Sequence, residues 1–459
     1  MRVGSGVFGI AWDAWRAGHG GADAIARRQQ ARLAELVEFA RSASPFYRKL
    51  YRDVAESVTD PCQLPWVGKR ELMENFDDWV TDPHITLAAL KSDWLSDLSR
   101  LGSCYRGKYL VVTTSGTSGE PAVLLHDRSS WAVANILVRV RERRTLVRAQ
   151  EVRAFLRQGL RAAALIAGGG HFAGVVLTES ARRRSPAIAR RVRVFSVLRP
   201  LPELVAELND FKPTALYGYP SAMLQLAAEQ KAGRLRIRPI LAISSGENLS
   251  ENGRAEIESA LGCRITERYL SSEVPALTSR CRHGSFHVNA DWYIMEPVDA
   301  DYRPVPAGVT SHTVLVTGLA NRVQPLIRYD LGDRVRLAAE PCSCGSPFPV
   351  VSVEGRAGDL LSFRAPDGGA VTVLPLALGT VIEETAGVRR FQAIRTGPAT
   401  LAVRLETWPG AALAEVRRAV DERLGGFFAA QGADTVAIEH EDTLPRPDPS
   451  GKFRQVWSA

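Results

Sequence analysis

The chain has 459 residues, of which 45% are hydrophobic and 24% are charged, and its formal net charge is +8. This ordinary globular composition excludes a mainly disordered chain and gives enough length for two or three domains. There is no run of about 18 uninterrupted apolar residues and no complete signal peptide, and six cysteines do not suggest a secreted disulfide framework. We therefore expect a cytoplasmic protein with no membrane partner.

The excess of positive charge suits a polyanionic small ligand such as ATP or CoA. Arginine runs at residues 182–184 and 190–191 could instead contact nucleic acid. No helix-turn-helix, zinc-finger or RNA-binding motif accompanies them, so we assign both runs to the solvated surface. The sequence therefore predicts no nucleic-acid partner.

The first predicted element is an amphipathic helix within residues 22–52, which ends near Ser44-Pro45. Residues 109–126 predict a strand, a Gly/Ser/Thr loop and a second strand. Residues 130–190 predict helix, interrupted by a run of three glycines. From 194 to 340, short β-branched runs alternate with helical stretches, which is typical of an α/β domain with a largely parallel sheet.

The pattern changes after Gly355-Arg356, where strands and one long helix (412–424) predict a small α+β unit. We predict a large, multilayer α/β domain over residues 1–357, with a helical part at about 1–100. A small α+β domain over residues 358–459 completes the chain.

The most informative stretch is the loop between the first two predicted strands, Thr113-Thr114-Ser115-Gly116-Thr117-Ser118-Gly119-Glu120-Pro121. Glycines allow backbone N–H groups to converge on an anion, and hydroxyl side chains can add donors to phosphate oxygens. The loop is not a Walker A motif, because it lacks Gly-Lys-Ser/Thr and a strand follows it. A flexible surface hairpin is the alternative interpretation.

This loop resembles the phosphate loop of the adenylate-forming superfamily, which includes acyl-CoA synthetases, peptide-synthetase adenylation domains and luciferases. Glu120 departs from the pattern, because a lysine often precedes the proline there. The resemblance implies that the loop binds ATP through these residues: Thr114, Ser115, Gly116, Thr117, Ser118 and Gly119.

Further stretches resemble superfamily motifs in the expected order: Tyr217–Ser221, Ser244–Glu247, Tyr269–Glu273 and Pro325–Asp333. The resemblance implies that the backbone at Ser245, Gly246 and Glu247 lies along the adenine. It also implies that Tyr269 packs on the base and that Ser272 belongs to the same nucleotide-binding turn. Glu273 would hold Mg²⁺, a hard cation that prefers carboxylate oxygens. Leu270 replaces the glycine that is usual in this third motif.

Asp333 would accept both ribose hydroxyls, since a carboxylate accepts hydrogen bonds through two oxygens. Arg356 would reach the ribose or the phosphates. Near the C-terminus, Leu444–Arg454 resembles the superfamily's P-x-x-x-x-G-K element, in which Lys452 would contact the substrate carboxylate and the α-phosphate. Lys452, Glu273 and Thr117 are thus the predicted catalytic residues, and Ser44–Arg48 resembles the phenylacetate–CoA ligase branch in particular. That family also implies a mobile small domain, which rotates between the two half-reactions.

Cysteines and a histidine form a candidate metal site. Cys342-Ser343-Cys344 forms a knuckle-like pair, with Cys281 and His287 upstream. Three thiolates and one imidazole would make a closed tetrahedral set, which is typical of structural zinc. Reduced core thiols are the alternative, and His283 is the alternative fourth ligand. We expect the remaining cysteines to be buried thiols: Cys62, Cys104 and Cys263.

Small residues at 167–174 lie where the family forms part of its acyl pocket, so the resemblance implies a pocket lined by His171, Phe172, Tyr219 and Ser245. The predicted reaction activates an aryl or arylacetic acid with ATP and then transfers the acyl group to CoA. The altered segment 367–375 leaves a carrier-protein thiol, an amine or a hydroxyl as alternative acceptors. A non-catalytic nucleotide-binding protein is the alternative from another class, and the sequence leaves a homodimer open.

Overall fold

The computed structural model describes residues 6–114, 121–142, 147–166, 168, 170–356, 361–364, 370–373, 375–433, 435–446 and 453–459. Within these ranges, no helix is both long enough and apolar enough to cross a membrane.

Helices dominate the N-terminal part of the chain. They are α1 (Val7–His19), α2 (Gly21–Ala43), α3 (Pro45–Leu50), α4 (Lys69–Glu74), α5 (Phe76–Trp79) and α6 (Leu87–Ala89), followed by a π-helical turn at Leu90–Leu95. Helix α2 ends at Ala43. The next residue, Ser44, accepts a hydrogen bond from the Tyr47 N–H through its side chain and caps the start of α3. Helix α2 buries the apolar stripe that includes Leu33, Leu36 and Val37, as its spacing predicts.

A β-hairpin follows these helices. Strands β1 (Leu110–Thr113) and β2 (Val123–His126) pair antiparallel, which confirms the predicted strand–loop–strand order. Helices α7 (Arg128–Leu137) and α8 (Ala149–Gln158) come next.

The centre of the large domain is a five-stranded parallel sheet. Its strands are β3 (Ala162–Ile166), β4 (Val192–Ser196), β5 (Ala215–Gly218), β6 (Leu241–Ser245) and β7 (Arg264–Arg268), in the order β4-β3-β5-β6-β7. The connecting helices are α9 (Ala173–Arg183), α10 (Pro186–Arg191), α11 (Leu201–Phe211), α12 (Pro220–Lys231) and α13 (Glu251–Leu261). This sheet confirms the α/β prediction.

The prediction of helix throughout 130–190 was wrong at β3. Its sequence, Ala-Ala-Ala-Leu-Ile, favours helix locally. Strands β4 and β5 flank it, and residues 163–166 are buried, so tertiary packing overrides that preference.

Between residues 278 and 356 the strands pair antiparallel, which the sequence did not indicate. Strands β10 (Tyr293–Val298), β11 (Thr313–Gly318) and β12 (Leu326–Asp330) form one sheet. Strands β8 (Thr278–Arg280), β9 (Phe286–Val288), β13 (Asp333–Leu337) and β14 (Val350–Arg356) form another, in the order β13-β14-β9-β8.

The C-terminal part has a hydrophobic core of its own. Its elements are β15 (Leu361–Arg364), β16 (Ala370–Val373), α14 (Pro375–Glu383), β17 (Val388–Gly397), β18 (Thr400–Thr407), α15 (Leu413–Ala430), β19 (Ala437–Glu441) and β20 (Val456–Ser458). The sheet order is β19-β18-β17-β20, and Phe363, Phe391 and Phe428 are almost fully buried in this core. Residues 357–360 lie outside the described ranges, so the domain boundary at 357/358 stays a prediction.

Candidate active site

The base of the predicted phosphate loop is firmly held. The Thr114 N–H donates to the Ala122 carbonyl at 3.0 Å, and the Ala122 N–H donates to the Thr114 hydroxyl at 2.9 Å. Gln324 holds the second strand by accepting from the Leu125 N–H at 2.7 Å and donating to the Val123 carbonyl. The structure thus describes Thr114, whereas the remaining loop residues lie outside the described ranges: Ser115, Gly116, Thr117, Ser118 and Gly119.

Two residues predicted to line the acyl pocket, His171 and Phe172, lie beside Thr113 at the end of β1. The Thr113 N–H donates to the His171 carbonyl at 2.8 Å, and Thr113 pairs with Phe172 in a parallel bridge. The side chains of Phe172 and Tyr219 pack against one small apolar cluster that includes Ile166, at the carboxyl end of β3. The carboxyl ends of parallel strands are where α/β proteins bind ligands, which fits the predicted position of the pocket.

His171 is 3% exposed, and its Nε2 has no hydrogen-bond partner among the described residues. Burial lowers the pKa of this imidazole, only partly offset by the Asp97 backbone and carboxylate, so the ring is neutral near pH 7. The neutral ring presents a buried polar atom in the region of the pocket.

The turn after β6 carries three predicted nucleotide-binding residues. Ser245 ends the strand, and its hydroxyl donates to the Tyr217 hydroxyl at 3.1 Å. Gly246 follows with φ of +84°, a conformation that a side chain disfavours. The Glu247 carboxylate then accepts from the backbone N–H of Ser221 at 3.0 Å and from its hydroxyl at 2.9 Å, in the first turn of α12.

Three motifs that are far apart in the sequence meet at Asp333. The Tyr269 hydroxyl donates to Asp333 Oδ2 at 2.8 Å, and Asp333 is 8% exposed. Asp333 and Arg356 are direct Cα partners across the β13–β14 ladder. The structure therefore brings together the predicted ribose-binding carboxylate, the predicted adenine-packing tyrosine and the backbone of Arg356, whose side chain is outside the described part.

Glu273 is half-buried and available to a cation. Its carboxylate makes no hydrogen bond or ion pair with another described residue. The preceding residue, Ser272, accepts a hydrogen bond at its carbonyl from His126 Nε2 at 2.9 Å. His126 is fully enclosed, and burial lowers its pKa despite the nearby carboxylates of Asp127 and Glu273. The neutral ring must therefore carry its proton on Nε2 to make this bond.

Sequence reasoning missed His126, which ends β2 and connects that strand with the turn that carries Glu273. A histidine at the end of the run Ala-Val-Leu-Leu-His gives little indication of this contact in the sequence, because its partner is a backbone carbonyl 146 residues away.

The C-terminal segment approaches the turn after β6. The Phe453 N–H donates to Glu247 Oε1 at 2.5 Å, which joins the end of the chain to the large domain. Phe453 directly follows Lys452 in the sequence, but Lys452 itself lies outside the described residues.

The predicted zinc ligands also come together. The candidate ligand atoms of Cys281, His287, Cys342 and Cys344 all lie within 4.8 Å of one another. The Cys281 and Cys342 sulfur atoms are 3.9 Å apart, and Cys344 Sγ is 3.4 Å from His287 Nε2. This spacing is what four ligands around one small cation require.

Neighbouring groups contact several members of this cluster. His287 Nδ1 lies 2.8 Å from the Phe348 carbonyl, which directs Nε2 towards the cysteines. The Cys344 N–H is the main cause that lowers the pKa of the Cys342 thiol to about 6, whereas burial raises the pKa of Cys344. His283 instead contacts the Ser343 hydroxyl and the Arg282 guanidinium, so the structure favours His287 as the fourth ligand.

The expectation of buried thiols elsewhere was wrong for two cysteines. Cys62 and Cys104 are exposed, and only Cys263 of the three is buried. Both exposed cysteines lie in loops or short turns, outside the apolar periodicity that places a residue in a core.

Comparison with known proteins agrees with these observations. No protein-family model matches the chain. A phenylacetate-coenzyme A ligase from Thermus thermophilus is 25% identical over 371 residues, which span 77% of this chain and 74% of that protein. Protein CapK from Staphylococcus aureus is 26% identical over 177 residues, or 38% of this chain and 37% of CapK.

Solved structures share the fold. A 2-hydroxyisobutyryl-CoA ligase in its postadenylation state superposes with a TM-score of 0.66 at 19% identity, covering 97% of this chain and 91% of that one. The same enzyme in its thioesterification state, with an acyl-AMP and CoA, gives a TM-score of 0.55 at 20% identity. The predicted resemblance to a phenylacetate–CoA ligase is confirmed by the first of these relatives, and the solved structures confirm the fold.

Proposed function

We propose that this protein is an AMP-forming acid–CoA ligase, which activates a carboxylic acid with ATP and passes the acyl group to CoA. The observation that carries this proposal is that predicted motifs far apart in the sequence contact one another. The Tyr269 hydroxyl donates to Asp333, the backbone of Asp333 pairs with that of Arg356, and the Phe453 N–H donates to Glu247. The similarity to a phenylacetate-coenzyme A ligase along 77% of the chain supports the same activity.

In the first step, an oxygen of the substrate carboxylate attacks the α-phosphorus of ATP. A P–O bond forms to the acyl group and the bond to the β-phosphate breaks, which gives acyl-AMP and pyrophosphate. Two anions must approach each other, so the main tasks of the enzyme are positioning and charge compensation. Lys452 would supply positive charge at the α-phosphate, and the loop at Thr114–Gly119 would hold the phosphate oxygens.

In the second step, the CoA thiol gives its proton to solvent and the sulfur attacks the acyl carbon. The bond between that carbon and the phosphate oxygen breaks, and AMP leaves with the electron pair. A carrier-protein thiol, an amine or a hydroxyl could replace CoA without any change in the first step. CoA is favoured because the fold matches a ligase solved with an acyl-AMP and CoA.

Mg²⁺ would be held by Glu273, whose carboxylate makes no hydrogen bond or ion pair with another described residue. When bound, a hard divalent cation offsets phosphate charge. The hydrogen bond from His126 to the Ser272 carbonyl holds the turn that carries Glu273. Asp333 would accept the ribose hydroxyls, oriented by Tyr269.

An aryl or arylacetic acid is the proposed substrate. Aromatic side chains favour an aromatic ligand through stacked or edge contacts, and Phe172, Tyr217 and Tyr219 all contact the small cluster at the end of β3. His171 Nε2 would add one hydrogen-bonding atom to that region.

We also propose that Cys281, His287, Cys342 and Cys344 bind one structural zinc ion. The four ligand atoms form a compact set. A tetrahedral zinc ion bound by all four would have no open coordination position for a reacting group. Zinc would thus tie the β8–β9 hairpin to the loop between β13 and β14. The proposed location is the cytoplasm, where ATP and CoA are supplied, and a carrier-protein partner and a homodimer stay predictions.

Acid-dependent exchange of pyrophosphate into ATP, measured over a panel of aryl and alkyl acids, tests the proposal. We expect exchange with at least one aryl or arylacetic acid, and its near-complete loss in Lys452→Ala with unchanged thermal unfolding. A non-catalytic nucleotide-binding protein would show no exchange with any acid, and unchanged exchange in Lys452→Ala would contradict the role of that lysine.

A further inference from the structure

A cavity lies at the end of the central parallel sheet that is opposite to the candidate active site. Its volume is about 590 Å³, and its lining comes from α8 and from the connections that lead into β6 and β7. Residues 237–240 line it directly before Leu241, the first residue of β6, whereas Ser245 ends that strand. With a rise of about 3.3 Å per residue, β6 separates the cavity from the nucleotide turn by roughly 13 Å. The cavity is therefore distinct from the candidate active site.

Two arginines that line this cavity form no ion pair. Arg148 and Arg238 are both exposed, and neither guanidinium makes a hydrogen bond or ion pair with another described residue. Arg264 also lines the cavity, but the Glu151 carboxylate accepts from Arg264 Nε at 2.7 Å and from its Nη2 at 2.9 Å. That pair is neutral as a whole, so the cavity keeps two positive charges that no carboxylate neutralises by direct contact.

Hydrogen bonds hold the backbone of both arginines in place. Gln230 on α12 donates through Nε2 to the Ile237 carbonyl at 3.0 Å, and its Oε1 accepts from the Ile237 N–H at 3.2 Å. Ile237 directly precedes Arg238 in the sequence. On the other side of the cavity, the Arg148 N–H donates to Glu151 Oε2 at 2.7 Å. Since the two chain segments are already fixed, a ligand would have to order only the arginine side chains, which lowers the entropic cost of binding.

We propose that this cavity binds a small aliphatic phosphate monoester, such as a sugar phosphate. A phosphate monoester carries close to two negative charges at pH 7, which matches the two unpaired guanidiniums. Arginine binds phosphate oxygens through pairs of N–H groups that share one plane. The buried part of the lining includes Ile237, Leu261 and Cys263, so the carbon skeleton of the ester would lie against apolar atoms. The volume falls within the range of roughly 300–1,000 Å³ that is usual for small-molecule sites.

The remaining lining residues favour a sugar phosphate over a nucleotide. Among the described residues that line the cavity none is aromatic, so a nucleobase would find no ring on which to stack. Gln150, Gln158 and Ser259 contribute amide and hydroxyl groups, which can both donate to and accept from the hydroxyls of a sugar. This site and the proposed ligase activity are independent of each other, because the cavity uses none of the residues assigned to ATP, Mg²⁺ or the acid.

The test is a calorimetric titration of the full-length protein with ribose 5-phosphate. The wild type is compared with Arg148→Gln and Arg238→Gln, each of which removes one guanidinium and keeps a polar side chain. Hydrogen bonds to charged groups change binding by roughly 10- to 150-fold, so we expect each variant to bind at least about 10-fold more weakly. Both substituted side chains are exposed, so thermal unfolding of the variants should match the wild type. Unchanged affinity in both variants would place the ligand elsewhere and overturn the proposal.

Arg236→Gln is the matched control. Arg236 is exposed two residues before Arg238, its guanidinium donates to the Gly233 carbonyl, and it lines a different depression together with Lys212. The variant loses the same charge from the same segment, and we expect it to bind ribose 5-phosphate with wild-type affinity. A loss equal to that of Arg238→Gln would show general charge attraction and would overturn a specific site.

Two further ligands identify the group that is recognised. Ribose, which lacks the phosphate, should not bind at concentrations at which ribose 5-phosphate saturates the wild type. Succinate, which carries two carboxylates, should bind more weakly than ribose 5-phosphate, because its two charges are spread over separate groups. No binding of ribose 5-phosphate, equal binding of ribose, or tighter binding of succinate would each overturn the assignment to a phosphate monoester.

Discussion

Replacement of Asp333 by asparagine gives a quantitative test of the nucleotide site. Asp333 is 8% exposed, and one of its oxygens accepts from the Tyr269 hydroxyl at 2.8 Å. If the carboxylate also accepts the ribose hydroxyls, the change replaces one acceptor oxygen by a donor and removes the charge. Hydrogen bonds to charged groups contribute about 1.5–3 kcal/mol each, so the loss of one predicts roughly 10- to 150-fold weaker ATP binding.

The contact between Asp333 and the ribose can be measured by comparing ATP with 2′-deoxy-ATP in the wild type and in Asp333→Asn. Wild-type protein should prefer ATP over 2′-deoxy-ATP by about 10-fold or more, and Asp333→Asn should reduce that preference to about 3-fold or less. The assay is the KM for each nucleotide in pyrophosphate exchange, together with direct binding of both nucleotides.

Tyr269→Phe is the matched control for the same carboxylate. It keeps the charge of Asp333 and removes only the orienting hydroxyl, so ATP should bind about 3- to 10-fold more weakly while the preference for the ribose 2′-hydroxyl persists. If Asp333→Asn left that preference at its wild-type value, the assignment of Asp333 to the ribose would be refuted.

Three further predictions concern the metal, the buried histidine and the nucleotide turn. Purified protein should contain about one zinc ion per chain by elemental analysis, and Cys342→Ser should lose the metal and unfold at a lower temperature, unlike Cys104→Ser at an exposed cysteine. Burial lowers the folded-state pKa of His126, so the unfolded chain binds more protons and the free energy of unfolding should fall as pH drops below about 6.5. This pH dependence should be weaker in His126→Gln. An identical pH dependence in the variant would contradict the burial argument. Gly246→Ala should bind ATP more weakly and lose about 1 kcal/mol of unfolding free energy in a denaturant titration, because φ is +84° there, and an unchanged midpoint and affinity would contradict the strain argument.

Much of the fold could be predicted because the chemical motifs lie next to strands with clear hydrophobic patterns. Ser245-Gly246-Glu247 follows β6, and the glycine-rich loop lies between β1 and β2, as their flanking apolar runs indicate. The parallel sheet followed from alternating strands and helices. The approach of Tyr269 to Asp333 was implied only by family resemblance, since no local pattern joins residues 64 positions apart.

What could not be predicted depends on tertiary contacts. The alanine-rich β3 resembles helix until its position between β4 and β5 is known. The pairing of β20 with β17 involves two segments separated by most of the small domain. Gln392 and His126 bind backbone groups far along the chain, and such contacts leave no residue-type signal at the partner position.

A crystal structure with a non-hydrolysable ATP analogue and Mg²⁺ tests the central claim most directly. The account predicts the triphosphate in the loop at Thr114–Gly119, the ribose hydroxyls on Asp333 and the cation on Glu273. A nucleotide bound elsewhere, or a ribose with no contact to Asp333, would contradict it.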